Sequence, residues 1–364
     1  MKQKPFDRRD FLKFGALSLG AIGLSPWTNR LFTIPDFPQS ARLGRLCVGH
    51  VALKAQPDYD SQDVGTVYED SVLPWLRETV GHWPGRNNQR FVETPGGYIW
   101  SPYMQPVENN PNKPFENLPK QGDRTGMWVE VSIPWVDAIL INPPARSPAL
   151  KWRMEVEKKS KRFYFSEILW VDQTRKDDDG QIWYRVNERY GNRGDLFWVP
   201  GEALRPIEEQ EFTPINPDVE DKRIIIDASW HRQTLSCYEG NTEVYYCRIS
   251  TGVESDSTPA TPPGGVGYPI WRKLYSLHMS GGTNVDGWDL SGIGTTQLFI
   301  GDGVAIHSTY WHNNFGEPMS RGCINATPAD SKWIFRWTTP FVPYEPGEVT
   351  IVGAGSTRIR VIEG

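Results

Sequence analysis

Short apolar runs separated by turn residues recur along most of this chain, and they constrain its fold more than any other feature. Runs such as MWVEV, FYFSEILWV and IWYRV combine β-branched and aromatic residues and end near Gly, Pro, Asn or Asp. Runs of this kind form strands. The composition agrees, because 34 Gly and 30 Pro supply turns, while 16 Trp, 14 Tyr and 15 Phe favour strands. The sequence therefore predicts a mainly β fold rather than a helical bundle.

The first 26 residues have the character of an export signal. Charged residues come first, including Arg8 and Arg9, and an apolar stretch from Phe14 to Leu24 follows them. This stretch is too short to cross a bilayer comfortably, and the order of charged and apolar residues is that of a secretory signal. The core RRDFLK resembles the twin-arginine signal, which exports folded proteins. We therefore expect an exported protein, with residues 1–26 either removed or kept as a membrane anchor.

Two β modules and two linkers are predicted after this signal. The linkers are polar and rich in Pro, and the modules hold the short apolar runs. In chain order they are linker 27–43, β module 44–107, linker 108–126 and β module 127–207. A hairpin is expected at Gly96–Gly97. In the basic stretch 151–162, charged residues alternate with others in a pattern that suits a solvated strand or loop.

The ends of the two modules resemble each other. GGYIWSPYMQPV (96–107) and DLFWVPGEALRPI (195–207) both place aromatic residues before a short turn with Pro, then close on Pro and an aliphatic residue. This degenerate repeat resembles the small bacterial SH3-like barrels that accompany cell-wall enzymes. Two interpretations stay open: the modules bind or position something, or they are only spacers.

A third β-rich domain is predicted at 219–354, followed by a C-terminal strand or tail at 355–364. A hairpin is expected at Gly240–Asn241, and two more strands are expected around Asp302–Gly303. The segment TPADSKWIFRW predicts one short helix after Cys323. Its Thr327 suits the N-cap, the next residue is Pro, and an Asp follows where it can reach back to the cap.

Charge and cysteine content argue against several classes of protein. The formal net charge is −5, whereas a nucleic-acid binder needs a basic surface. The cysteines are Cys47, Cys237, Cys247 and Cys323. Four are too few for a disulfide scaffold in a chain of this length, and their spacing is not that of a structural zinc site. Cys237 and Cys247 flank a predicted hairpin, where they either form a bridge or are two separate strand residues.

A histidine and a cysteine near the C-terminal end have the pattern of a base and a nucleophile. His307 ends a predicted strand, and Cys323 follows sixteen residues later, beyond a loop rich in Gly, Asn and Pro. A thiol becomes a good nucleophile when a base takes its proton. Gly322 would let its own N–H and that of Cys323 point at a carbonyl as an oxyanion hole. Inert packing of Cys323 is the alternative, and His312 in the loop is a rival base.

The surrounding segment resembles the signature of the L,D-transpeptidase catalytic domain, also called the YkuD domain. In that family a histidine and a loop precede Ser/Thr-x-Gly-Cys, an apolar residue and Arg or Asn. The matching residues here are His307, Ser320, Arg321, Gly322, Cys323, Ile324 and Asn325. The stretch STGVESDSTPATPPGG (250–265) is similar to the family's upstream Ser-Thr-Gly and Thr-Pro-x-Gly segment. The resemblance runs from Arg223 to Val352, which is 130 residues.

The resemblance implies a two-step acyl transfer in the cell wall. Cys323 would attack a carbonyl of a peptidoglycan stem peptide and form a thioester, and an amine of a neighbouring stem would then accept the acyl group. The resemblance implies no metal and no organic cofactor, and it implies acylation of Cys323 by carbapenem-type inhibitors. An L,D-carboxypeptidase that hydrolyses stems and a non-catalytic wall-binding protein are the alternatives.

One residue departs from the family pattern. A second histidine often precedes the glycine of the signature, and this chain has Arg321 there. An arginine cannot act as a base, but it can hold a carboxylate, and stem peptides carry carboxylates. We therefore expect Arg321 to contact substrate, with a surface ion pair as the alternative. The resemblance adds Ser320 and Asn325 to the expected substrate-binding residues.

Overall fold

Strands dominate the structure, as the sequence predicts. The computed structural model describes residues 34–121, 123–253, 261–282, 287–301, 303–352 and 355–363. Within these residues the chain forms 27 β-strands and two α-helices. No helix in this part of the chain has the length and apolar character needed to cross a bilayer. The predicted export signal lies outside the described residues.

The first module consists of two antiparallel sheets. One has the strand order β4-β1-β8 and the other β3-β2-β7-β6-β5. Thr94 on β6 lies opposite Gly97 on β7, which confirms the hairpin predicted at Gly96–Gly97. Apolar side chains of both sheets, among them Leu46, Trp75 and Ile99, form the core of the module. The strands are β1 (Leu43–Leu46), β2 (His50–Lys54), β3 (Asp63–Tyr68), β4 (Val72–Pro74), β5 (Arg77–Val80), β6 (Arg90–Thr94), β7 (Gly97–Trp100) and β8 (Met104–Val107).

The second module is built on a seven-stranded sheet with the order β13-β12-β16-β15-β14-β11-β17, preceded by the small hairpin β9-β10. Its core also holds Phe37, from the predicted linker 27–43, whose ring meets that of Trp135 edge to face at 5.6 Å. That part of the predicted linker is therefore packed rather than free. The strands are β9 (Lys120–Gln121), β10 (Arg124–Thr125), β11 (Met127–Val131), β12 (Trp135–Leu140), β13 (Lys161–Tyr164), β14 (Ile168–Lys176), β15 (Ile182–Val186), β16 (Phe197–Pro200) and β17 (Leu204–Pro206).

One helix of the second module, α1 (Pro148–Glu155), is not expected from the sequence, which predicted a solvated strand or loop for the overlapping stretch 151–162. The carboxylate of Asp195 accepts the backbone N–H groups of Arg146 at 2.7 Å and Ser147 at 2.9 Å, just before the helix starts. Leu150 is the one buried residue of the helix. The periodic apolar face that identifies a helix in a sequence is therefore missing. Two α-helices are therefore present among the described residues: the one predicted after Cys323, and α1, which the sequence did not predict.

The two similar sequence segments adopt the same local structure. In each, a strand leads through a 3₁₀ turn, Ser101–Tyr103 or Gly201–Ala203, into the last strand of the module. That last strand pairs with an early strand of the same module, β8 with β1 and β17 with β11. The sequence repeat thus corresponds to an equivalent closing element. The likeness to SH3 barrels stays a prediction.

The third domain contains two five-stranded sheets and helix α2 (Pro328–Trp337). The sheet orders are β20-β19-β18-β27-β21 and β25-β24-β23-β22-β26. Strand β27, in the segment predicted as a strand or tail, lies inside the first sheet and runs parallel to β18. The strands are β18 (Lys222–Asp227), β19 (Thr234–Glu239), β20 (Thr242–Arg248), β21 (Gly264–Pro269), β22 (Arg272–Gly281), β23 (Trp288–Ile300), β24 (Val304–Ser308), β25 (Ile324–Ala326), β26 (Glu348–Thr350) and β27 (Arg358–Ile362).

Helix α2 begins as the sequence predicts. Thr327 is its N-cap, and the Thr327 hydroxyl accepts the backbone N–H of Asp330 at 3.1 Å and donates to the Asp330 carboxylate at 2.6 Å. Ile334 and Trp337 are fully buried in the core between the sheets. Because β25 leads directly into this helix, the packing of α2 fixes the chain just after Cys323.

Cys237 and Cys247 are free and buried in the structure. They lie on the two strands of the predicted hairpin, which turns at Gly240 with a left-handed φ of 56°. Cys237 lies opposite Tyr245, and Cys247 lies opposite Leu235. The two are therefore separate strand residues and not a bridged pair.

A buried cluster of charges joins the second module to strands β22 and β23. His278 on β22 lies 2.7 Å from Glu188 and 3.1 Å from Asp289. Burial by itself lowers the pKa of His278, but the two carboxylates outweigh it and raise that pKa to about 10. The imidazole is therefore charged at neutral pH. Glu188 also accepts the backbone N–H of Gly292 at 2.8 Å, so the same carboxylate holds both strands.

Candidate active site

Two neighbouring parallel strands bring His307 and Cys323 to one face of a sheet. On β24 and β25, Ile306 pairs with Ile324 and His307 pairs with Asn325. The two isoleucines point into the core. Because side chains alternate along a strand, His307 and Cys323 both point to the opposite face. From strand spacing alone, their Cα atoms lie on a diagonal of about 8 Å.

His307 is arranged to accept a proton. Its side chain is buried, and Nδ1 lies 2.9 Å from the carbonyl oxygen of Ser308. A carbonyl can only accept, so Nδ1 carries the hydrogen and Nε2 is the unprotonated nitrogen. Burial lowers the pKa of His307 to about 4, and the hydrogen bond to Ser308 offsets part of that shift. The ring is therefore neutral at pH 7, with a free lone pair on Nε2.

Cys323 is a partly exposed thiol on the same face of the sheet as that imidazole. Its Sγ donates to the carbonyl oxygen of Gly303 at 3.3 Å. Burial raises the pKa of Cys323, and a backbone hydrogen bond from Ala305 offsets part of the shift. Cys323 and His307 thus rest as neutral thiol and neutral imidazole without a hydrogen bond between them. Catalytic hydrogen bonds often form only when substrate is bound.

The turn before Cys323 is closed by Ser320. The Ser320 hydroxyl accepts the N–H of Gly322 at 3.1 Å and donates to the carbonyl oxygen of Cys323 at 2.6 Å. Gly322 has a φ of 115°, which favours glycine. The expected oxyanion hole is therefore only partly free: the Gly322 N–H is already bonded, whereas the Cys323 N–H has no hydrogen-bond partner in the described part of the chain. Ser320 shapes the turn here, and its predicted contact with substrate stays a prediction.

The Ser-Thr-Gly segment packs directly against this turn. The carbonyl oxygen of Thr251 accepts the N–H groups of Met319 and Ser320, both at 3.0 Å. The hydroxyl of Thr261 accepts the N–H of Gly252 at 3.0 Å and donates to the carbonyl oxygen of Gly322 at 2.9 Å. The sequence resemblance identified this segment, but not the contact itself. Thr251 and Thr261 hold the backbone of the nucleophile's turn from a distance of about sixty to seventy residues along the chain.

His312 is a structural histidine rather than a free base. Its Nδ1 accepts the backbone N–H of Asn314 at 3.1 Å, and its Nε2 lies 2.8 Å from the side-chain amide of Asn325. A neutral imidazole whose Nδ1 accepts must carry its hydrogen on Nε2, so the amide group facing it is the carbonyl oxygen of Asn325. That orientation also gives a partner to Oδ1 of Asn325, which otherwise lacks one. Asn325 is buried here, and its predicted role in substrate binding stays a prediction.

Arg321 is exposed beside the nucleophile. Its guanidinium lies 4.3 Å from the ring centre of Trp288, and in the described part of the chain it has no ion-pair partner. Trp288 also lines a surface depression of about 380 Å³ together with Trp152, Arg153 and Lys159. The surface ion pair left open by the sequence is thus not seen, and the charge of Arg321 is available to a ligand.

The site contains acid–base and thiol chemistry but no grouping for a metal. Among the described residues, no three His, Cys, Asp or Glu side chains are close enough together to hold a metal ion. A base, a nucleophile and one free backbone donor are the groups required for acyl transfer through a thioester.

Residues 221–353 match the family model of YkuD, the L,D-transpeptidase catalytic domain. The matched residues therefore include His307, Cys323 and both sheets up to β26. The domain model ends before β27, although that strand pairs with the first strand of the domain in the same sheet.

Several solved structures are similar to this chain at low identity. A Cys-to-Ser mutant of the Enterococcus faecium L,D-transpeptidase has 24% identity and a TM-score of 0.30, over 40% of this chain and 51% of that chain, which is about half its length. An L,D-transpeptidase from Mycobacterium smegmatis has 16% identity and a TM-score of 0.30, over 50% of this chain and 90% of that one. L,D-transpeptidase 3 from Mycobacterium tuberculosis, in complex with a faropenem-derived adduct, has 18% identity and a TM-score of 0.30, over 48% and 76%. A search of curated protein sequences gave no match.

Proposed function

We propose that this protein is an exported peptidoglycan L,D-transpeptidase that forms cross-links by cysteine acyl transfer. The observation that carries the proposal is the neutral His307, with its Nδ1 hydrogen bonded to Ser308, on the same sheet face as the partly exposed thiol of Cys323. This pair lies within residues that match the YkuD catalytic domain.

In the first step, Nε2 of His307 accepts the proton of the Cys323 thiol as the sulfur attacks the carbonyl carbon of a donor stem peptide. The oxyanion of the tetrahedral intermediate is stabilised by the free N–H of Cys323. The C–N bond then breaks, and the leaving amine takes the proton from the imidazolium of His307. The product is a thioester on Cys323 with a neutral His307.

In the second step, the amine of an acceptor stem attacks the thioester carbonyl. His307 accepts a proton from that amine, the C–S bond breaks, and the proton returns to the sulfur. A new amide bond joins the two stems, and the enzyme regains its starting state. No metal or organic cofactor enters either step.

Arg321 is the proposed anchor for a carboxylate of the donor stem. It precedes Cys323 by two residues, and its guanidinium is exposed and stacked on Trp288. A planar guanidinium fits a carboxylate with two parallel hydrogen bonds. Stacking on an aromatic ring reduces the motion of the arginine, so less conformational entropy is lost when the carboxylate binds.

Export and inhibition complete the proposal. Residues 1–26 would direct the folded chain out of the cytoplasm. Its peptidoglycan substrate lies outside that compartment. The M. tuberculosis structure mentioned above is a complex with a faropenem-derived adduct. We propose that carbapenem-type compounds acylate Cys323 of this chain and form a thioester with its sulfur.

Intact mass of the purified full-length protein after incubation with a carbapenem tests the nucleophile. The wild type should gain the mass of one inhibitor, and Cys323→Ala should gain none. Cys47→Ala is the matched control, because Cys47 is the other partly exposed cysteine and should not matter. No mass gain in the wild type, or an equal gain in Cys323→Ala, would refute the proposal. Incorporation of a labelled D-amino acid into stem peptides would then show transfer, and release of the last stem residue without incorporation would show hydrolysis.

A further inference from the structure

We propose that the first β module positions the catalytic loop, with Glu317 and Arg45 as positioning residues. The catalytic loop is defined as residues 309–322, which connect the strand of His307 to Cys323. The inference rests on the proposed function, but it concerns a surface of the YkuD domain that the reaction itself does not explain. It corresponds to the first of the two interpretations left open by the sequence, that the module binds or positions something.

Glu317 is a buried carboxylate of the catalytic loop whose main partners belong to the first module. It is 2% exposed. One carboxylate oxygen accepts the backbone N–H groups of Asn87 at 2.7 Å and Asn88 at 3.3 Å. The other lies 3.1 Å from the guanidinium of Arg86 and 3.1 Å from the side-chain amide of Asn314. Of four donors around this charge, three come from the first module.

Arg45 makes the converse contact from the module to the loop. It is 3% exposed, and its Nη2 donates to the main-chain carbonyl of Tyr310 at 2.7 Å. The guanidinium is held in place by Asp70 at 2.9 Å and by the side-chain oxygen of Gln105 at 2.9 and 3.1 Å. It also lies 4.1 Å from the ring centre of Tyr164 in the second module. Arg45 is thus a fixed donor aimed at the start of the catalytic loop.

A third contact lies between these two. The backbone N–H of Asn313 donates to the carbonyl oxygen of Pro102 at 3.0 Å. The side-chain amide of Asn313 donates to the carbonyl oxygen of Ser101 at 3.3 Å. Ser101 and Pro102 belong to the 3₁₀ turn that closes the first module. The loop is therefore held at residues 310, 313 and 317, which divide the path from His307 to Cys323 into short spans.

These contacts have a physical consequence for the reaction. Residues 309–319 of the loop form no strand or helix, so only separate hydrogen bonds hold this backbone, among them the one from the N–H of Gly316 to the carbonyl oxygen of Ile249 at 2.8 Å. A buried carboxylate is tolerated only when its hydrogen bonds are satisfied. Without the first module, Glu317 would lose most of its donors and the loop would be driven to rearrange. A displacement of the nucleophile by even about 1 Å can cost on the order of a hundredfold in rate.

Variants of the full-length protein test the proposal. Glu317→Ala should lower the rate of carbapenem acylation and of iodoacetamide alkylation at Cys323 by at least about tenfold, and should speed amide hydrogen exchange across residues 309–322. Glu317→Gln keeps one accepting oxygen for the backbone of Asn87 and should recover part of the rate. Glu78→Ala is the matched control: it removes a carboxylate that pairs with Arg90 at 3.2 Å on an exposed part of the same module. Its rates should stay within about twofold of wild type.

A milder variant covers the case in which Glu317→Ala does not fold. Arg86→Ala removes one partner of Glu317 from a partly exposed position on the module and should slow alkylation by about threefold. Wild-type alkylation rates and hydrogen exchange in both Glu317→Ala and Arg86→Ala, or in Arg86→Ala alone if the other is unfolded, would overturn the proposal. If the carbapenem does not acylate the wild type, the proposed function fails. If alkylation of Cys323 is nevertheless slower in the variants than in the wild type, as described, the positioning role stands.

Discussion

Gly252 is the position where one added methyl group tests the turn of the nucleophile most directly. A Cβ built on Gly252 would lie 2.8 Å from both Cα and N of Gly322 and 2.9 Å from the backbone N of Thr261. These are backbone atoms, so no side-chain rotation relieves the overlap. The φ of Gly252 is not left-handed, so any effect of Gly252→Ala comes from space alone.

The size of the effect follows from the overlap. Ordinary contact of a Cβ begins at 3.4 Å, so the two backbone segments must separate by about 0.6 Å. Overpacking of this kind costs about 1–3 kcal/mol of stability. Because a shift of about 1 Å at a reacting group costs on the order of a hundredfold, a shift of this size should slow acylation of Cys323 roughly tenfold.

The assay compares Gly252→Ala with Gly49→Ala in the full-length protein. A Cβ at Gly49 would meet nothing within 4 Å, so this variant carries the same chemical change without the overlap. Thermal unfolding reports stability, and a time course of intact mass with a carbapenem reports the acylation rate. If Gly252→Ala melts and reacts like Gly49→Ala, the close packing of the Ser-Thr-Gly segment against the turn does not control the nucleophile, and the reasoning is refuted.

Three further predictions concern titratable groups. Because burial raises the pKa of Cys323 and lowers that of His307 to about 4, alkylation of Cys323 by iodoacetamide should keep rising with pH from 7 to 9; a plateau already reached near pH 5 would show a thiolate–imidazolium pair instead. His307→Ala should abolish acylation by a carbapenem, whereas His312→Ala should cost about 1–3 kcal/mol of stability and retain measurable acylation; the reverse order, read by intact mass and thermal melting, would make His312 the base. His278→Ala removes the cation between Glu188 and Asp289, leaves Asp289 only the more distant Lys161 at 3.8 Å, and should cost about 3–5 kcal/mol in urea unfolding. The pKa of His278 is raised from 6.5 to about 10 in the folded protein. Its contribution to the free energy of unfolding of the wild type is therefore complete below pH 6.5 and is lost as the pH rises through 10. A His278→Ala variant that unfolds at the wild-type urea midpoint would contradict the expected loss of stability.

The local pattern of the sequence was sufficient for the parts of the fold that depend on neighbouring residues. Alternating apolar runs predicted the strands, the Gly-containing turns predicted the hairpins at Gly96 and Gly240, and the Thr-Pro start predicted helix α2. Helix α1 was missed because a single one of its residues, Leu150, is buried. A helix without an apolar stripe leaves no periodic signal in the sequence.

The chemistry of the site could likewise be predicted from the sequence only in part. The residue types and spacing of His307 and Cys323 are properties of the sequence, and they pointed to a base and a nucleophile. The engagement of the Gly322 N–H by Ser320 and the occupation of both nitrogens of His312 depend on how the loop folds. Hydrogen bonds of this kind select one of several geometries that the same short sequence allows.

The amino-acid order was enough to predict that a thiol and an imidazole lie on either side of one irregular loop, because strand alternation and residue type are local. The contacts that hold that loop depend on how the domains pack against one another. Glu317 meets Arg86 across 231 positions, and Arg45 meets the carbonyl of Tyr310 across 265. Contacts over such separations form when sheets pack and exclude water from charged groups, so they depend on the whole fold and on no local pattern.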